Sequence, residues 1–304
     1  YIILGVGTNG RIAKASIKDG FSDKVSPSSA PLGSTLQMVC AATNCVRNYY
    51  LNNNFVLQYS SNNGVSWTDN LGMPASTINK LFAINESTFL AVTNDTIYRS
   101  RTKGSSWVSV LTSLNSSSGV SCTGNTCYVV TSNQKTKASP DGGLSWSDLP
   151  VSNNFPASGS NNLYCSGITC FNANSENRSV IYRSKGNNLA TWDAISLPIA
   201  ANITSISCSV SSDYPGGYCL TLGYTLDNKT VVMKSIDSGL TWSQIIFNDN
   251  DSQYYTSLIC ASNYCVLAAY NGVPKFSTDS GKTWDYLWAP ISLYSQSIIA
   301  VSAN

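Results

Sequence analysis

The sequence predicts an all-β fold, a seven-bladed β-propeller of four-stranded blades, and three observations carry that prediction. An octapeptide typified by STDSGKTW (277–284) recurs along the 304 residues. Between its copies lie only short apolar runs with the alternation and β-branched or aromatic bias of strands. The last residues match a first strand and the first residues a second, so the two ends complete one blade and close the ring.

In chain order the copies are SIKDGFSD (16–23), SSNNGVSW (60–67), SRTKGSSW (100–107), SPDGGLSW (139–146), SKGNNLATW (184–192), SIDSGLTW (235–242) and STDSGKTW (277–284). The first ends in Asp23 where the others have Trp, and SKGNNLATW is one residue longer. Their closing positions are spaced 44, 40, 39, 46, 50 and 42 residues apart, the period of a four-stranded blade. The unit 256–290 shows how each is built. TSLICAS is a first strand, CVLAAY a second, KFST a third and TWDYLW a fourth, with NY, NGVP and DSGK as the turns. SIIAVSAN (297–304) aligns with the first strand and YIILGVG (1–7) with the second, which predicts one domain over 1–304 in which 297–304 closes a blade with 1–25.

Within the octapeptide the physical roles are local. Asp141, Asp237 and Asp279 sit where a carboxylate can accept nearby backbone N–H groups in a tight turn. Gly supplies an unusual dihedral. Trp67, Trp107, Trp146, Trp192, Trp242 and Trp284 open the fourth strand and are placed to cover the seam between blades. Asn62 and Thr102 replace the Asp without breaking the period, which a turn tolerates and a catalytic acid does not. The ten cysteines fall into local pairs, Cys40/Cys45, Cys122/Cys127, Cys165/Cys170, Cys208/Cys219 and Cys260/Cys265. With no histidine to complete a zinc site, these read as disulfides in an oxidising compartment: secreted, periplasmic or cell-surface. Each straddles the first-to-second turn, so the bridges are expected to trim the blades at these turns rather than tie distant parts together.

The S-x-D-x-G-x-[ST]-W repeats resemble the Asp-box, or BNR, repeats of sialidase-like propellers, a group that includes sialidases, some glucan hydrolases, sortilin-type receptors and photosystem II assembly factors. The resemblance covers the whole chain and speaks to the blade rather than to function. Four-stranded topology puts the octapeptide turns and the Cys hairpins on one face, and the second-to-third turns and the crossovers on the other. The resemblance implies that the latter face carries the ligand.

Composition narrows the function. Eighteen basic and sixteen acidic residues give a net charge of +2, with no basic run to suggest nucleic acid and no apolar run long enough to span a membrane. Histidine is absent, which removes imidazole as base, triad member or metal ligand. No signal peptide is visible, and the opening at Tyr1 reads as a processed form.

A sialidase site would need an arginine cluster, and only Arg11, Arg47 and Arg178 fall on the predicted ligand face, with GRIAK (10–14) departing from the Arg-Ile-Pro signature. A glycoside hydrolase would need paired carboxylates, for which Asp95, Asp227, Asp249, Asp251 and Glu176 are candidates. Loop chemistry favours reading the same groups as solvated turn residues. Asn248–Asp251 offers oxygens for calcium but lacks a following bidentate Glu, so no metal and no cofactor is expected. Aromatics on this face, Tyr49, Tyr50, Phe55, Phe155, Tyr254, Tyr255, Trp288 and Tyr294, lie among Asn and Ser, the chemistry of adaptable recognition.

The leading expectation is a secreted or surface-exposed, non-enzymatic propeller that binds a glycan or a protein, with Tyr49, Tyr50, Phe55, Phe155, Tyr254, Tyr255, Asp95 and Asp227 as ligand contacts. The alternatives are a sialidase-like glycoside hydrolase and an assembly-factor-like scaffold. Seven N-x-[ST] sequons, at Asn85, Asn94, Asn115, Asn177, Asn202, Asn228 and Asn250, match what 31 Asn and 73 Ser plus Thr give by chance, roughly seven. All but Asn85 fall on the predicted ligand face.

Overall fold

Short β-branched and aromatic runs separated by Gly, Asn and Ser turns pair most readily with the next run along the chain, which satisfies their backbone groups. The computed structural model describes residues 2–7, 12–16, 20–25, 34–51, 54–70, 73, 77–114, 117–131, 136–149, 162–166, 169–173, 177–184, 189, 191–247, 253–270, 273–286 and 295–302. The first strands are β1 (Ile2–Gly7), β2 (Ile12–Ser16) and β3 (Gly20–Val25). Blade one follows as β4 (Ser34–Ala41), β5 (Asn44–Leu51), β6 (Asn54–Ser60) and β7 (Thr68–Asp69). Blade two is β8 (Lys80–Ala83), β9 (Phe89–Val92), β10 (Ile97–Ser100) and β11 (Val108–Leu111). Blade three is β12 (Ser117–Thr123), β13 (Thr126–Thr131), β14 (Thr136–Ser139) and β15 (Ser147–Asp148).

Blade four is β16 (Asn162–Ser166), β17 (Thr169–Ala173), β18 (Val180–Ser184) and β19 (Trp192–Ser196). Blade five is β20 (Asn202–Ser209), β21 (Tyr218–Tyr224), β22 (Thr230–Ser235) and β23 (Ser243–Ile245). Blade six is β24 (Tyr254–Ala261), β25 (Tyr264–Tyr270), β26 (Lys275–Ser277) and β27 (Asp285–Tyr286), and β28 (Ser295–Ser302) ends the chain. The architecture is an all-β propeller.

The expectation of seven like blades is corrected. Six four-stranded blades are built alike, each from four consecutive strands with a Trp closing its third-to-fourth turn. The remaining sheet, in the order β28-β1-β2-β3, is of another kind, assembled from both ends of the chain. Its SIKDGFSD segment is not a copy of the turn. Gly20 is already inside β3 and pairs with Ser16, and Asp23 pairs with Lys14. In five of the six blades the matching Gly lies outside the strand and three residues before Trp, and in blade four Leu189 takes that place.

First strands of successive blades stand side by side from β4 to β24, and β28 lies against both β24 and β4. Polar side chains join these strands where no backbone ladder can. Ser121 Oγ accepts from Cys165 N at 2.8 Å, and Ser207 Oγ accepts from Cys260 N at 2.8 Å. Tyr164 Oη accepts from Cys208 N at 3.1 Å, and Gln37 accepts from Leu81 N at 2.9 Å.

The apolar core is divided among the seams between consecutive blades. Blades four and five bury Phe171, Ile181, Ile203 and Met233 with Trp242. Blades five and six bury Leu220, Tyr255, Leu258 and Leu267, with Trp284 packed alongside. Trp107, Trp146 and Trp192 play the same part at the other described seams.

The repeated turn is built the same way in the three blades where Asp holds it. Asp279 Oδ1 accepts from Ser277 Oγ at 2.8 Å, Lys282 N at 3.0 Å and Thr283 N at 2.9 Å, and Oδ2 accepts from Thr283 Oγ1 at 2.6 Å. Asp141 and Asp237 repeat these bonds. Asn62 keeps two of these bonds at Oδ1, from Ser60 Oγ and Ser66 N, and its amide Nδ2 donates to Ser66 Oγ at 2.9 Å. The Trp indole donates to the carbonyl three residues back in blades one, two, three, four and six, at 2.9–3.2 Å. Trp242 is the exception, its indole nitrogen buried without a partner.

A second device ties three of the turns to the blade before. Arg99 Nε donates to Gly142 O at 2.6 Å, Arg183 Nε to Ser238 O at 2.7 Å and Lys234 Nζ to Ser280 O at 2.8 Å. The carbonyls belong to residues at positive φ (69°, 59° and 62°), whose left-handed backbone turns them away from the local ladder.

All five cysteine pairs are disulfides: Cys40–Cys45, Cys122–Cys127, Cys165–Cys170, Cys208–Cys219 and Cys260–Cys265. Each joins directly paired residues of a first and a second strand, with Cα atoms 4.0–4.1 Å apart. Five bridges indicate an oxidising compartment. Closing so short a loop contributes about 2 kcal/mol per bridge in the chain-entropy model.

The bridges join hairpin neighbours rather than distant parts, and the second-strand partner of each pair has a further role. Cys45, Cys127, Cys170, Cys219 and Cys265 are core residues, none more than 4% exposed. The reason is their place inside the sheet. Cys45, Cys127, Cys219 and Cys265 pair on their other side with Ser60, Ser139, Ser235 and Ser277, the serines that open the repeated turns. Cys170 N reaches the equivalent Ser184 Oγ at 2.8 Å. Cys127, Cys170, Cys219 and Cys265 also belong to the apolar seams between blades. Their sulfurs fill core volume as well as close a loop.

Intact mass in denaturant is expected to rise on reduction by two hydrogens per bridge for all ten cysteines; a smaller gain would mean that a pair is open. Blade two has Ala83 opposite Phe89 where the others have cystine, and its turn is held by Asn85 instead.

Candidate functional site

Hydrogen bonds between turns assign the faces. Asn63 N donates to Thr43 O, Gly142 N to Asn125 O and Ser280 N to Asn263 O, at 2.7–2.8 Å, so the first-to-second and third-to-fourth turns share one face. On the other face Leu114 N donates to Asp95 O at 3.0 Å and Ala201 N to Arg178 O at 2.9 Å, joining crossovers to second-to-third turns.

On this second face the seam between blades five and six presents exposed apolar and aromatic side chains. Tyr254 opens β24 at 49% exposure and stacks on Tyr224, the last residue of β21, with ring centroids 4.4 Å apart and planes 13° apart. Tyr224 is buried, which raises its pKa. Leu226 in the adjoining turn is 78% exposed, and Ile246 after β23 and Val273 before β26 are also exposed. Gln253 draws the elements together, accepting from Thr230 Oγ1 at 3.1 Å through its carbonyl and from Val273 N at 2.7 Å through its side chain.

The two described candidate carboxylates are held within their own turns. Thr225 Oγ1 donates to Asp227 Oδ1 at 2.5 Å, and Lys229 Nζ lies 2.9 Å from Oδ2. The Thr225 and Lys229 hydrogen bonds depress the Asp227 pKa to about 2. Asp95 repeats the arrangement in blade two, with Thr93 Oγ1 donating to Oδ1 at 3.1 Å. Both are exposed.

Several expected contacts lie elsewhere. Tyr255 is 1% exposed, inside the core of blades five and six and 6.5 Å from the Phe247 ring. Its side chain follows from β24 starting at Tyr254, because adjacent strand residues point to opposite faces. Arg47 is not in a turn. It lies on β5, 1% exposed, with Nε and Nη2 donating to Gln58 Oε1 at 2.8 and 2.6 Å and its guanidinium 4.4 Å from the Trp67 ring centroid.

Tyr49 and Tyr50 pair with Val56 and Phe55 near the tip of the β5–β6 hairpin, and Phe55 is half-buried. Phe155, Trp288, Tyr294, Arg11, Glu176, Asn248, Asp249 and Asp251 lie outside the described residues. Among the described residues no group of three or more acidic or cysteine side chains is placed to hold a metal ion. No described helix is long and apolar enough to cross a membrane.

No protein-family model matches the chain, and no curated protein matches its sequence. Its fold matches many solved structures. One is YCF48 bound to D1 peptide, with a TM-score of 0.63 at 16% identity over 84% of this chain and 82% of that one. Another is YCF48 from Cyanidioschyzon merolae, at 0.58 and 13% over 84% of each. A third is the GH74 xyloglucanase from Xanthomonas campestris, at 0.67 and 12% over 97% of this chain but 54% of that one. At these identities the likeness is one of fold. Tyr224 and Leu226 were the residues least visible beforehand, because nothing local distinguishes the last tyrosine of an apolar strand from a core residue.

Proposed function

We propose that the chain is a non-enzymatic binding propeller that takes a peptide or protein segment on its face of second-to-third turns and crossovers. Exposed Tyr254, backed by Tyr224 and flanked by Leu226, Ile246 and Val273, carries this reading. It is an aromatic and apolar anchor beside a charge-balanced Asp227–Lys229 pair, which suits an apolar side chain on an extended segment better than a strongly charged one. The fold likeness to a propeller recorded with a bound peptide is in keeping with it. The repeated turn supports placement among Asp-box propellers, as one propeller domain over 1–304. The disulfides support a secreted, periplasmic or cell-surface location.

Selection from a displayed peptide library followed by calorimetry tests the proposal. Tyr254→Ala is expected to weaken the selected peptide at least tenfold, about 1.4 kcal/mol, while Leu144→Ala on the opposite face leaves affinity unchanged. A library that yields no binder, with a glycan array that does, would overturn the peptide reading.

The hydrolase alternative would draw on Asp95 and Asp227. A general acid needs a raised pKa, and that of Asp227 is lowered. Asp227→Asn is therefore expected to leave any β-glucan turnover unaltered, and loss of such turnover would revive this alternative.

A further inference from the structure

We propose that Asn85 is an N-glycosylation acceptor, on the face opposite the proposed binding surface. It lies in the first-to-second turn of blade two, between Ala83 at the end of β8 and Phe89 at the start of β9, in the sequon Asn85-Glu86-Ser87. The residue is exposed. Its Oδ1 accepts from Ser87 N at 3.0 Å, Ser87 Oγ at 3.1 Å and Thr88 N at 2.9 Å. All three donors converge on the amide oxygen, and Nδ2 is left without a protein partner. Donors at that oxygen stabilise the charge that collects there as the nitrogen gives up a proton. The turn is also held in place from two sides, by Asn44 Nδ2 donating to Glu86 O at 2.9 Å and Lys103 N donating to Ser87 O at 3.1 Å.

The other described sequons lack this combination. Asn94 Oδ1 is taken by Asn79 Nδ2 at 2.7 Å, and Thr96 is buried. Asn202 is half-buried within β20 and paired with Tyr224. Asn228 has a φ of 59°, and the Thr230 hydroxyl is committed to Gln253 O. Asn177 shares only the backbone bond, from Ser179 N at 3.3 Å. Five disulfides already indicate a compartment in which glycosyl transfer is possible.

The co-reactant is an oligosaccharide carried on a diphosphate-linked lipid. Asn85 Nδ2 forms a bond to the anomeric carbon, the bond from that carbon to the diphosphate oxygen breaks, the diphosphate leaves with the electron pair, and the Nδ2 proton passes to a base of the transferase. No oxidation or reduction is involved. A glycan here stands over the repeated-turn face and leaves the Tyr254 surface open, so the inference is independent of the proposed function.

The test is secretion of the full chain from a eukaryotic host, then peptide N-glycosidase in heavy-oxygen water and peptide mass mapping. Asn85 is expected to convert to heavy-oxygen-labelled Asp in most wild-type chains. Ser87→Thr should keep the label, and Ser87→Ala should lose at least tenfold while other peptides are unchanged. An unlabelled Asn85 peptide in both wild type and Ser87→Thr, whether or not other sequons are occupied, overturns the proposal.

Discussion

Gly239→Ala is expected to destabilise the fold by about 3 kcal/mol, the sum of an overpacked core contact and a strained backbone. Gly239 has a φ of 85°, a region where any Cβ meets its own backbone. An added Cβ would also lie 2.5 Å from Phe171 Cζ and nearer still to Cε1. Phe171 cannot yield easily, being 1% exposed and edge-on to Trp242 with centroids 6.1 Å apart. The melting temperature should fall by roughly 5–10 °C. Gly124→Ala is the comparison, since φ is 55° there but nothing lies within 4 Å of the new carbon; only the backbone cost, about 1 kcal/mol, should appear. Equal losses in the two variants would show that the contact with Phe171 carries no weight. Gly281 meets Leu220 in the same way, so the glycine sets how closely each turn approaches the preceding blade.

That contact explains which parts of the fold were legible. The turn could be read because Ser, Asp, Gly and Trp act on one another within eight residues, and local hydrogen bonding needs no knowledge of the rest of the chain. The cysteine pairing was legible for the same reason, while the burial of Cys219 or Cys265 depends on the neighbouring blade. What the Gly meets likewise belongs to the previous blade and has no local signal. Leu189 occupies the Gly position of blade four at a φ of 49° and is buried with Tyr128 of blade three. Sequence comparison alone would take it for an insertion.

SIKDGFSD misled for the converse reason. Ser16 and Gly20 match the pattern, but the backbone pairs them directly and runs on as β3. At the candidate site, strand limits decided which residues could be placed. β5 and β6 pair as far as Leu51 with Asn54, which draws Arg47 out of the expected turn. β24 begins two residues earlier than its apolar run suggests, which separates Tyr254 from Tyr255. The Tyr224–Tyr254 stack joins two blades across thirty residues of chain, a relation that periodicity within a unit does not carry.

Asp279→Ala is expected to cost about 2 kcal/mol, within the range for stranding hydrogen-bond donors that had a charged acceptor. The carboxylate accepts from the hydroxyls of Ser277 and Thr283 and from two backbone N–H groups. Alanine leaves all four without it, and Ser277 is too buried for water to substitute. Asp279→Asn is expected to cost less than about 1 kcal/mol. Asn62 already shows the amide solution, Oδ1 keeping the bond from Ser66 N while Nδ2 donates to the Ser66 hydroxyl.

The pair of variants also separates charge from geometry. Burial pulls the Asp279 pKa upward, but the hydrogen bonds from Thr283, Ser277 and Lys282 outweigh it and leave it below 3.8. A depressed carboxylate stabilises the fold above the unfolded value, and that contribution fades as pH falls through the folded value. Wild type should therefore lose stability with acid more steeply than Asp279→Asn, and the gap between them should narrow below about pH 3. Urea unfolding midpoints at pH 7 and pH 3 measure both effects. A gap that widens with acid would place the stabilisation in something other than the carboxylate.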